Sequence, residues 1–373
     1  MNTINSICCI FNLAPHYRAP IYMLMDKELS CDFYFGDKVD TEMKIMDVNQ
    51  LKGYKKTVQN KRIFFNRFWW QNDMVHLVFK KQYKYFILTG DSSILSNWFI
   101  LLLCRILGKK TYIWTHGLKS EPSWKGKLLI YPFYLMANKF LLYGEHAKQV
   151  MVKLGFSENK TECIYNSLDY NHQLSIREKL QKTNIYSDFF GNKLPTIIYI
   201  GRIQKVKKIE LLFEAIKLLE KRSIYCNIML IGENTDDIDL KKIHFENNLQ
   251  SMYWLYGPCY DENKIAQFFY NSDVCVTPGN IGLTAIHSMV FGVPVITHDN
   301  FVYHGPEYET IQTGKTGDFF EENNIYDLTD KIEKWLSVET ERRNEVRNDC
   351  YAIIDEKYNP NFQINLLKKL FNI

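Results

Sequence analysis

A glycine-punctuated turn in the second half of the chain has the residue types and spacing to bind phosphate. The turn, PGNIGL at 278–283, follows a short apolar strand and precedes a short helix, which Gly292 and Pro294 bring to an end. The first amides of such a helix have no partner within it, and they point out of the carboxyl edge of a sheet. The amides that we predict to bind phosphate are those of Gly282, Leu283 and Thr284.

Two basic residues in an upstream loop supply positive charge for the same ligand. The apolar run 196–200 predicts a buried strand, and a glycine ends it just before Arg202, with Lys207 five residues further on. An arginine fork and a lysine point charge in one strand-to-helix loop can neutralise a diphosphate. The alternative is a solvated loop, which is how we interpret the neighbouring Lys205 and Lys208.

These two segments resemble the motifs of glycosyltransferase family 4, the retaining, nucleotide-sugar-dependent enzymes of GT-B fold. The family's G-R-(x4)-K loop matches Gly201, Arg202 and Lys207, and its glycine-containing E-(x7)-E helix matches the turn and the helix after it. In the family the first glutamate contacts the donor sugar and the second contacts the ribose. Asn280 and His287 replace the glutamates here, and both can hydrogen-bond to hydroxyl groups without a fixed negative charge.

The resemblance implies further donor contacts in the same half of the chain. Glu233, Cys259 and Tyr260 lie where the family forms its base and ribose pocket, and these side chains do not distinguish a UDP-sugar from a GDP-sugar. The D-x-D of Asp237 and Asp239 is the metal signature of another glycosyltransferase fold, but here it begins a helix, so we interpret it as an N-cap cluster. Since GT-B enzymes balance the leaving group with Arg, Lys and helix amides, the resemblance implies no metal and no cofactor.

Two histidines follow predicted strands of the first half. His116 lies after the strand 110–114, where the resemblance places a histidine beside the sugar and the acceptor; a histidine bonded to backbone is the structural alternative. His16 lies in the loop after the first strand, where inverting GT-B enzymes have a general base, and Asp91 is its candidate carboxylate partner. Retention and inversion with His16 as the base therefore remain competing mechanisms.

The loop that carries His16 also predicts acceptor contacts. Tyr17 and Arg18 follow it at the carboxyl end of the first strand, which is where ligands bind in an open α/β sheet. A turn that merely starts the next helix explains them equally well.

A mixture of basic and aromatic residues occupies the segment 54–71. Such a mixture suits the headgroup layer of an anionic membrane, where cations meet phosphate and indole rings lie at the interface. The alternative is that the aromatic residues pack under the domain while the basic residues are solvated. The residues that we assign to membrane contact are Lys55, Arg62, Arg67, Trp69 and Trp70.

Charge and composition limit the class of protein. Residues 1–168 hold 23 Lys and Arg against 13 Asp and Glu, a net charge of +10, whereas the remainder holds 46−23=23 against 42−13=29, a net charge of −6. The basic first half indicates an anionic partner, and no zinc finger, aromatic RNA-binding motif or basic helix favours nucleic acid. The nine scattered cysteines indicate buried reduced thiols. With no signal peptide and no apolar stretch of spanning length, we expect a cytoplasmic protein, peripheral on the inner face of the cell membrane.

The alternation of apolar runs predicts an α/β protein. The resemblance implies a GT-B fold, with two Rossmann-like doubly wound domains facing across a cleft and a C-terminal helix that crosses back to the first domain. We expect an acceptor domain over residues 1–170, a nucleotide-sugar domain over 171–350 and the returning helix over 351–373.

The expected activity follows from the resemblance. It implies a bacterial-type transferase that moves a sugar from a nucleoside diphosphate to a membrane-linked glycan during the synthesis of capsule, lipopolysaccharide O-antigen or exopolysaccharide. Two other classes stay open: a sugar-nucleotide epimerase of similar fold, and a non-catalytic subunit that binds sugar nucleotides.

Overall fold

The chain folds into two compact units. The computed structural model describes residues 6–40 and 43–373, with the backbone alone at residues 125, 128 and 129. Unit 1 comprises Met1–Asp169 and Asn359–Ile373, and unit 2 comprises Tyr170–Tyr358. The final segment of unit 1 begins later than residue 351, because the preceding helix continues to Glu356 within unit 2.

Unit 1 is built on a parallel sheet with the order β3-β2-β1-β6-β7-β8-β9 across the described residues, and an antiparallel hairpin of β4 and β5 lies beside it. The strands are β1 (Ile7–Phe11), β2 (Asp32–Gly36), β3 (Tyr54–Val58), β4 (Asn60–Ile63), β5 (Phe68–Gln71), β6 (Tyr85–Thr89), β7 (Lys110–Thr115), β8 (Lys139–Leu142) and β9 (Thr161–Cys163). The helices are α1 (Ala19–Leu29), α2 (Leu95–Ile106), α3 (Trp124–Met136), α4 (Glu145–Lys153) and, after unit 2, α13 (Pro360–Phe371).

Both faces of this sheet are covered. Side chains alternate along β1, so that Cys9 and Phe11 pack with α1 and α13 on one face while Cys8 and Ile10 pack with α2 and α3 on the other. A parallel sheet buried on both faces explains why β1 is apolar throughout.

Unit 2 repeats this architecture with the sheet order β12-β11-β10-β13-β14-β15, also parallel within the described residues. Its strands are β10 (Thr196–Ile200), β11 (Asn227–Ile231), β12 (Tyr253–Gly257), β13 (Val274–Val276), β14 (Val295–His298) and β15 (Gly317–Phe320). Its helices are α5 (Tyr170–Arg177), α6 (Ile185–Phe190), α7 (Ile209–Lys221), α8 (Leu240–Asn247), α9 (Glu262–Asn271), α10 (Thr284–Val290), α11 (Ile325–Leu336) and α12 (Thr340–Glu356).

The strand order of unit 2 sets the position of its ligand edge. β10 lies between β11 and β13, so the loops that leave β10 and β13 are neighbours at the carboxyl edge of the sheet. The strand order reverses at such a point in doubly wound sheets, and ligands bind in the crevice there. In the described part of the chain, no helix is both long enough and apolar enough to cross a bilayer.

Candidate functional site

The two loops predicted to bind a diphosphate are joined in unit 2. Lys207, in the loop after β10, accepts a hydrogen bond at its carbonyl oxygen from the amide of Gly279 at 2.9 Å. Its Nζ donates to the carbonyl oxygen of Asn280 at 2.6 Å. The structure therefore brings the basic loop and the glycine turn together, although about 70 residues separate them in the sequence.

The ammonium group of Lys207 is largely buried and lies near a second cation. Burial lowers the pKa of its ammonium group to about 8, and the nearby charge of Arg202 acts in the same direction. Arg202 itself is exposed at the mouth of the loop. Two cations that repel each other at one sheet edge favour an anion between them.

Gly279 permits the close approach of the two loops. A Cβ on this residue would lie 2.2 Å from the carbonyl oxygen of Val206 and 2.5 Å from the Cα of Lys207. The E-(x7)-E spacing, counted back from His287, reaches Gly279 rather than Asn280, so the first glutamate position of the motif is closed to any side chain here. Asn280 comes next, and its Oδ1 is buried with no hydrogen-bond partner among the described residues.

A third segment of unit 2, at His304 and Gly305, also contacts the glycine turn. The amide of Ile281 donates to Nδ1 of His304 at 3.0 Å, and the amide of Gly305 donates to the carbonyl oxygen of Ile281 at 2.7 Å. Glu307 brings a buried carboxylate beside Gly282, which sequence reasoning missed because it lies beyond the next strand.

The predicted phosphate amides remain available after these contacts. In the described residues, the amides of Gly282, Leu283 and Thr284 donate to no other protein group. The Thr284 side chain donates to the carbonyl oxygen of Ile200 at the end of β10, so its amide, rather than its hydroxyl, is the candidate ligand group.

His287 lies one helical turn after Thr284 and is paired with a carboxylate. Its Nε2 is 2.8 Å from Oε1 of Glu262, at the start of α9, and that oxygen also accepts from Nε2 of Gln173 at 2.8 Å. Burial alone acts to raise the pKa of Glu262, but the charge and hydrogen bond of His287, together with Gln173, hold it below the usual value. A negative charge is therefore present beside His287, supplied by a residue that no sequence motif indicated.

The remaining predicted donor residues follow β11 and β12 at the same edge of unit 2. Glu233 is exposed after β11, and its carbonyl oxygen accepts from the amide of Ile203 at 2.8 Å. Cys259 is half-buried and Tyr260 is 78% exposed in the loop after β12. Asp239 caps α8 by accepting from the amide of Lys242, as expected for an N-cap.

No metal site is evident in the described residues. Within that part of the chain, no group of three or more His, Cys, Asp or Glu is arranged to hold a metal ion. A diphosphate at this edge would meet the cations and amides described above.

Unit 1 has a cavity of about 440 Å³ at the carboxyl edge of its sheet. Three of the predicted acceptor or catalytic residues, Tyr17, Arg18 and His116, line it. Asp91 also lines it, after β6. The loops after β1, β6 and β7 meet here because these strands are neighbours in the sheet.

His116 is held as a neutral imidazole. Burial lowers its pKa to about 4, and the positive charges of Arg18 and Lys119 act in the same direction. The residue is nevertheless exposed on its cavity side, and its ring packs on Tyr143 with the centroids 4.7 Å apart. Because both cations repel a proton whatever the degree of burial, the imidazole is uncharged near neutral pH.

Arg18 lies in an aromatic cage that the sequence did not reveal. Its guanidinium carbon is 5.2 Å from the ring centre of Trp114 and 5.1 Å from that of Tyr143. Its Nε, and Nε1 of Trp114, are buried donors with no partner in the described residues. The cavity wall thus carries a cation and two unused donors.

His16 does not form the predicted pair with Asp91. It lies in the short helix His16–Arg18, exposed, and it is not part of the cavity wall. Burial lowers its pKa, and Lys44 contributes in the same direction. Asp91 instead accepts from the amide of Ser93 at 2.8 Å. Among the described residues, no carboxylate orients His16 as a general base.

The five residues assigned to membrane contact have different environments. Lys55 pairs with the buried Asp32 at 3.1 Å, and Arg62 pairs with Asp40 and lies 3.9 Å from the ring centre of Trp69. Trp69 and Trp70 are half-buried, and Arg67 is exposed. The segment is therefore partly a packed element and partly a free surface.

Comparison with known proteins agrees with this architecture. Residues 181–351 match the family model described as "Glycosyl transferases group 1". A curated relative, poly(ribitol-phosphate) alpha-N-acetylglucosaminyltransferase of Staphylococcus aureus (strain COL), is 24% identical over 196 residues. The aligned part covers 52% of this chain but only 38% of that relative, which is less than half of its length.

Solved structures match nearly the whole chain. HepE from Anabaena in complex with UDP aligns with a TM-score of 0.72 at 13% identity, covering 99% of this chain and 100% of the other. The lipopolysaccharide outer core galactosyltransferase WaaB in its apo form aligns with a TM-score of 0.69 at 15% identity, covering 98% and 99%. These likenesses confirm the predicted α/β fold with two parallel-sheet, Rossmann-like domains of the GT-B type.

These comparisons show two separate things. Residues 181–351 are similar to group 1 glycosyltransferases, and the whole chain has a fold of the GT-B type. At these identities the structural neighbours carry the fold alone.

Proposed function

We propose that the protein transfers a sugar from a nucleoside diphosphate to a membrane-linked glycan acceptor during the synthesis of a bacterial surface polysaccharide, at the inner face of the cell membrane. The proposal rests mainly on the contact of Lys207 with the glycine turn. This contact brings two cations to the same sheet edge as three amides that donate no hydrogen bond within the described residues. The WaaB and staphylococcal relatives are named as transferases of surface glycans, which supports the same class of acceptor.

The donor is a nucleotide sugar in this proposal. Arg202, Lys207 and the amides of the turn neutralise the diphosphate as it leaves, so that no metal is needed for that charge. HepE, the Anabaena neighbour, was crystallised with UDP and with UDP-glucose, which favours uridine as the base. Asn280 accepts from a hydroxyl of the donor sugar through its buried Oδ1.

The acceptor binds the cavity of unit 1. Arg18 attracts a phosphate of a lipid-linked acceptor, because its guanidinium makes no ion pair with a described carboxylate. The neutral His116 hydrogen-bonds to the hydroxyl that attacks the sugar or to the sugar itself. Asp91 of the described cavity wall accepts from the amide of Ser93, which holds this carboxylate in its own loop. The departing phosphate therefore takes the proton of the hydroxyl, and the reaction proceeds with retention.

Inversion with His16 as the base is the second mechanism. It has less support, because His16 lies outside the cavity wall and has a lowered pKa without a carboxylate partner among the described residues. An epimerase would not need the Arg18 cage, and a subunit that only binds sugar nucleotides would not need His116 held neutral.

Titration calorimetry with UDP in the presence of EDTA tests the donor site. We expect Arg202→Ala to lose tens-fold in affinity, about 2 to 3 kcal/mol for a charged hydrogen bond. Lys205→Ala is the matched control, because it removes the same charge from an exposed position in the same loop. Equal losses in both variants would mean nonspecific attraction, and an unchanged affinity in Arg202→Ala would reject the diphosphate site.

Proton NMR of the wild-type protein with a UDP-sugar separates the three activities. Without an acceptor, a transferase slowly transfers the sugar to water and releases UDP. The anomer of the free sugar that appears first reports retention or inversion. An epimerase converts the donor without releasing UDP. Binding without either change would leave the non-catalytic alternative.

A further inference from the structure

A buried carboxylate lies beside the glycine turn of unit 2. Glu307 is 4% exposed, in the short helix Pro306–Thr310, and this helix packs against α10. A Cβ built on Gly282 would lie 3.8 Å from Oε2 of Glu307. Because Gly282 carries one of the predicted phosphate amides, the carboxylate lies at the edge of the proposed donor site. The binding of the diphosphate described above does not use this group.

The backbone holds this carboxylate against the turn. The amide of Gly305 donates to the carbonyl oxygen of Ile281 at 2.7 Å, so the chain just before Glu307 is tied to the turn. Gly305 also lacks the side chain that would keep the two segments apart. A Cβ there would lie 2.3 Å from Oε2 of Glu307 and 3.1 Å from the Cα of Gly282. The close approach of the carboxylate therefore depends on a glycine.

His304 braces the segment that carries Glu307. Its Nδ1 accepts from the amide of Ile281 at 3.0 Å, so the ring proton lies on Nε2. Nε2 in turn donates to the carbonyl oxygen of His298 at 2.8 Å. The imidazole is therefore neutral and fixed by two backbone groups, and Glu307 follows it on a rigid support.

The charge of Glu307 suits hydroxyl groups rather than phosphate. A carboxylate only accepts hydrogen bonds, and it repels a phosphate group. The cation Lys207 contacts residues 279 and 280, at the beginning of the turn. Glu307 lies next to residue 282, toward the end of the turn. A ligand that has phosphate at one end and hydroxyl groups at the other matches this order of charges.

We propose that Glu307 binds two neighbouring hydroxyl groups of the donor sugar and so selects a nucleotide sugar over the bare nucleotide. Each of its two carboxylate oxygens accepts from one hydroxyl of a vicinal pair on a pyranose ring. The donor class is therefore a sugar nucleotide whose pyranose has a free vicinal diol. This role rests on the proposed function, because it needs the donor to bind at the glycine turn.

Titration calorimetry with four ligands tests the role of Glu307. The ligands are UDP, UDP-glucose, UDP-galactose and UDP-N-acetylglucosamine, each with EDTA. Glu307→Gln should weaken the best-bound UDP-sugar about tenfold or more, through the loss of a charged hydrogen bond. The same variant should leave the affinity for UDP unchanged or raise it, because it removes a charge that repels phosphate. A purely structural role would instead weaken UDP and the UDP-sugar equally.

Two further variants complete the series. Glu309→Gln is the matched control, because it removes the same charge two residues further along the same short helix, and it should change neither affinity. Glu307→Asp keeps the charge and shortens its reach, so it should weaken the UDP-sugar alone. Circular dichroism establishes that each variant is folded, and Glu307→Asp replaces Glu307→Gln in the comparison if the latter is not.

Monodeoxy analogues of the best-bound UDP-sugar identify the hydroxyl groups. Removal of either contacted hydroxyl should cost affinity in the wild-type protein and cost less in Glu307→Gln, where the contact is already weakened. Losses that add at every position would overturn the contact.

The outcomes separate this role from the donor site itself. If the wild-type protein binds none of the four ligands, the donor site is rejected, and the role of Glu307 with it. If UDP binds but Glu307→Gln changes UDP and the UDP-sugar equally, or changes neither, the role of Glu307 is overturned while the proposed donor site stands.

Discussion

Lys207 shows how a single residue can serve both the fold and the ligand. Its backbone carbonyl oxygen and its ammonium group both bind the glycine turn, so the side chain is held in place before any ligand arrives. This arrangement leaves the ammonium group of Lys207 partly buried and close to Arg202. Burial, and then the charge of Arg202, lower the pKa of Lys207 to about 8. Its charge is therefore lost in an accessible pH range.

We predict that UDP affinity falls as the pH rises above about 8. The folded protein has a lowered pKa at Lys207, so the charge is present below that pH and lost above it. A bound diphosphate favours the protonated form, so affinity should fall by up to about tenfold for each further pH unit. Titration calorimetry from pH 7 to 9.5 measures this.

Lys207→Arg is the control for the pH series. A guanidinium stays charged over this range, so the steep fall should disappear, and any remaining slope belongs to the ligand. A wild-type profile parallel to that of Lys207→Arg would show that Lys207 does not contact the diphosphate.

At the scale of elements, the site depends on two strand-to-helix loops that touch at a glycine. β10 and β13 are neighbours in the sheet, which makes their loops adjacent, but only the missing side chain of Gly279 lets the backbones approach. The clamp of His304 and Gly305 on Ile281 fixes the other side of the turn. The phosphate amides are thus positioned by three segments of unit 2.

We predict that Gly279→Ala separates these loops. The added Cβ overlaps the backbone of Val206 and Lys207, so Lys207 must move away from Asn280. UDP affinity should fall about tenfold or more, while the protein remains folded by circular dichroism.

Val206→Ala is the matched control at the same junction. It shortens a side chain that is 54% exposed and leaves the backbone contact with Gly279 unchanged, so affinity should be nearly unchanged. If Gly279→Ala bound UDP as well as Val206→Ala does, the junction of the two loops would not be what positions the phosphate ligands.

At the scale of the whole molecule, the chain enters unit 1 twice. After the long helix α12 in unit 2, Asn359 caps α13, and α13 packs on α1 within unit 1. Its buried residues Ile364, Leu367 and Phe371 belong to the same core cluster as β1 and β2. α13 therefore completes the core to which β1 and β2 contribute.

We predict that Leu367→Ala destabilises unit 1 by about 2 to 5 kcal/mol, since a fully buried leucine leaves a cavity. Urea unfolding followed by fluorescence and circular dichroism should show an earlier transition. Asn365→Ala, on the exposed side of α13, should cost little. If both variants unfolded at the same urea concentration, α13 would not contribute to this core.

Much of the fold follows from local sequence. In the second half, the predicted strand at 196–200 has the observed bounds, and the glycine turn is followed, as predicted, by the short helix Thr284–Val290. Apolar runs, helical periodicity and glycine or proline stops act over a few residues, so they can be recognised without the tertiary structure. The same holds for the grouping of Arg202 and Lys207 in one loop.

Contacts between distant segments needed the tertiary structure. Local patterns of residues were enough to predict the alternation of strands and helices, the basic loop and the glycine turn. The folded chain was needed to show that Glu262 pairs with His287, that the backbone of Gly279 touches the loop after β10, and that Trp69 lines a cavity while Trp70 packs on Phe99. The physical reason is that these contacts depend on strand order and on the side of each strand or helix, which residues far apart in the chain fix together.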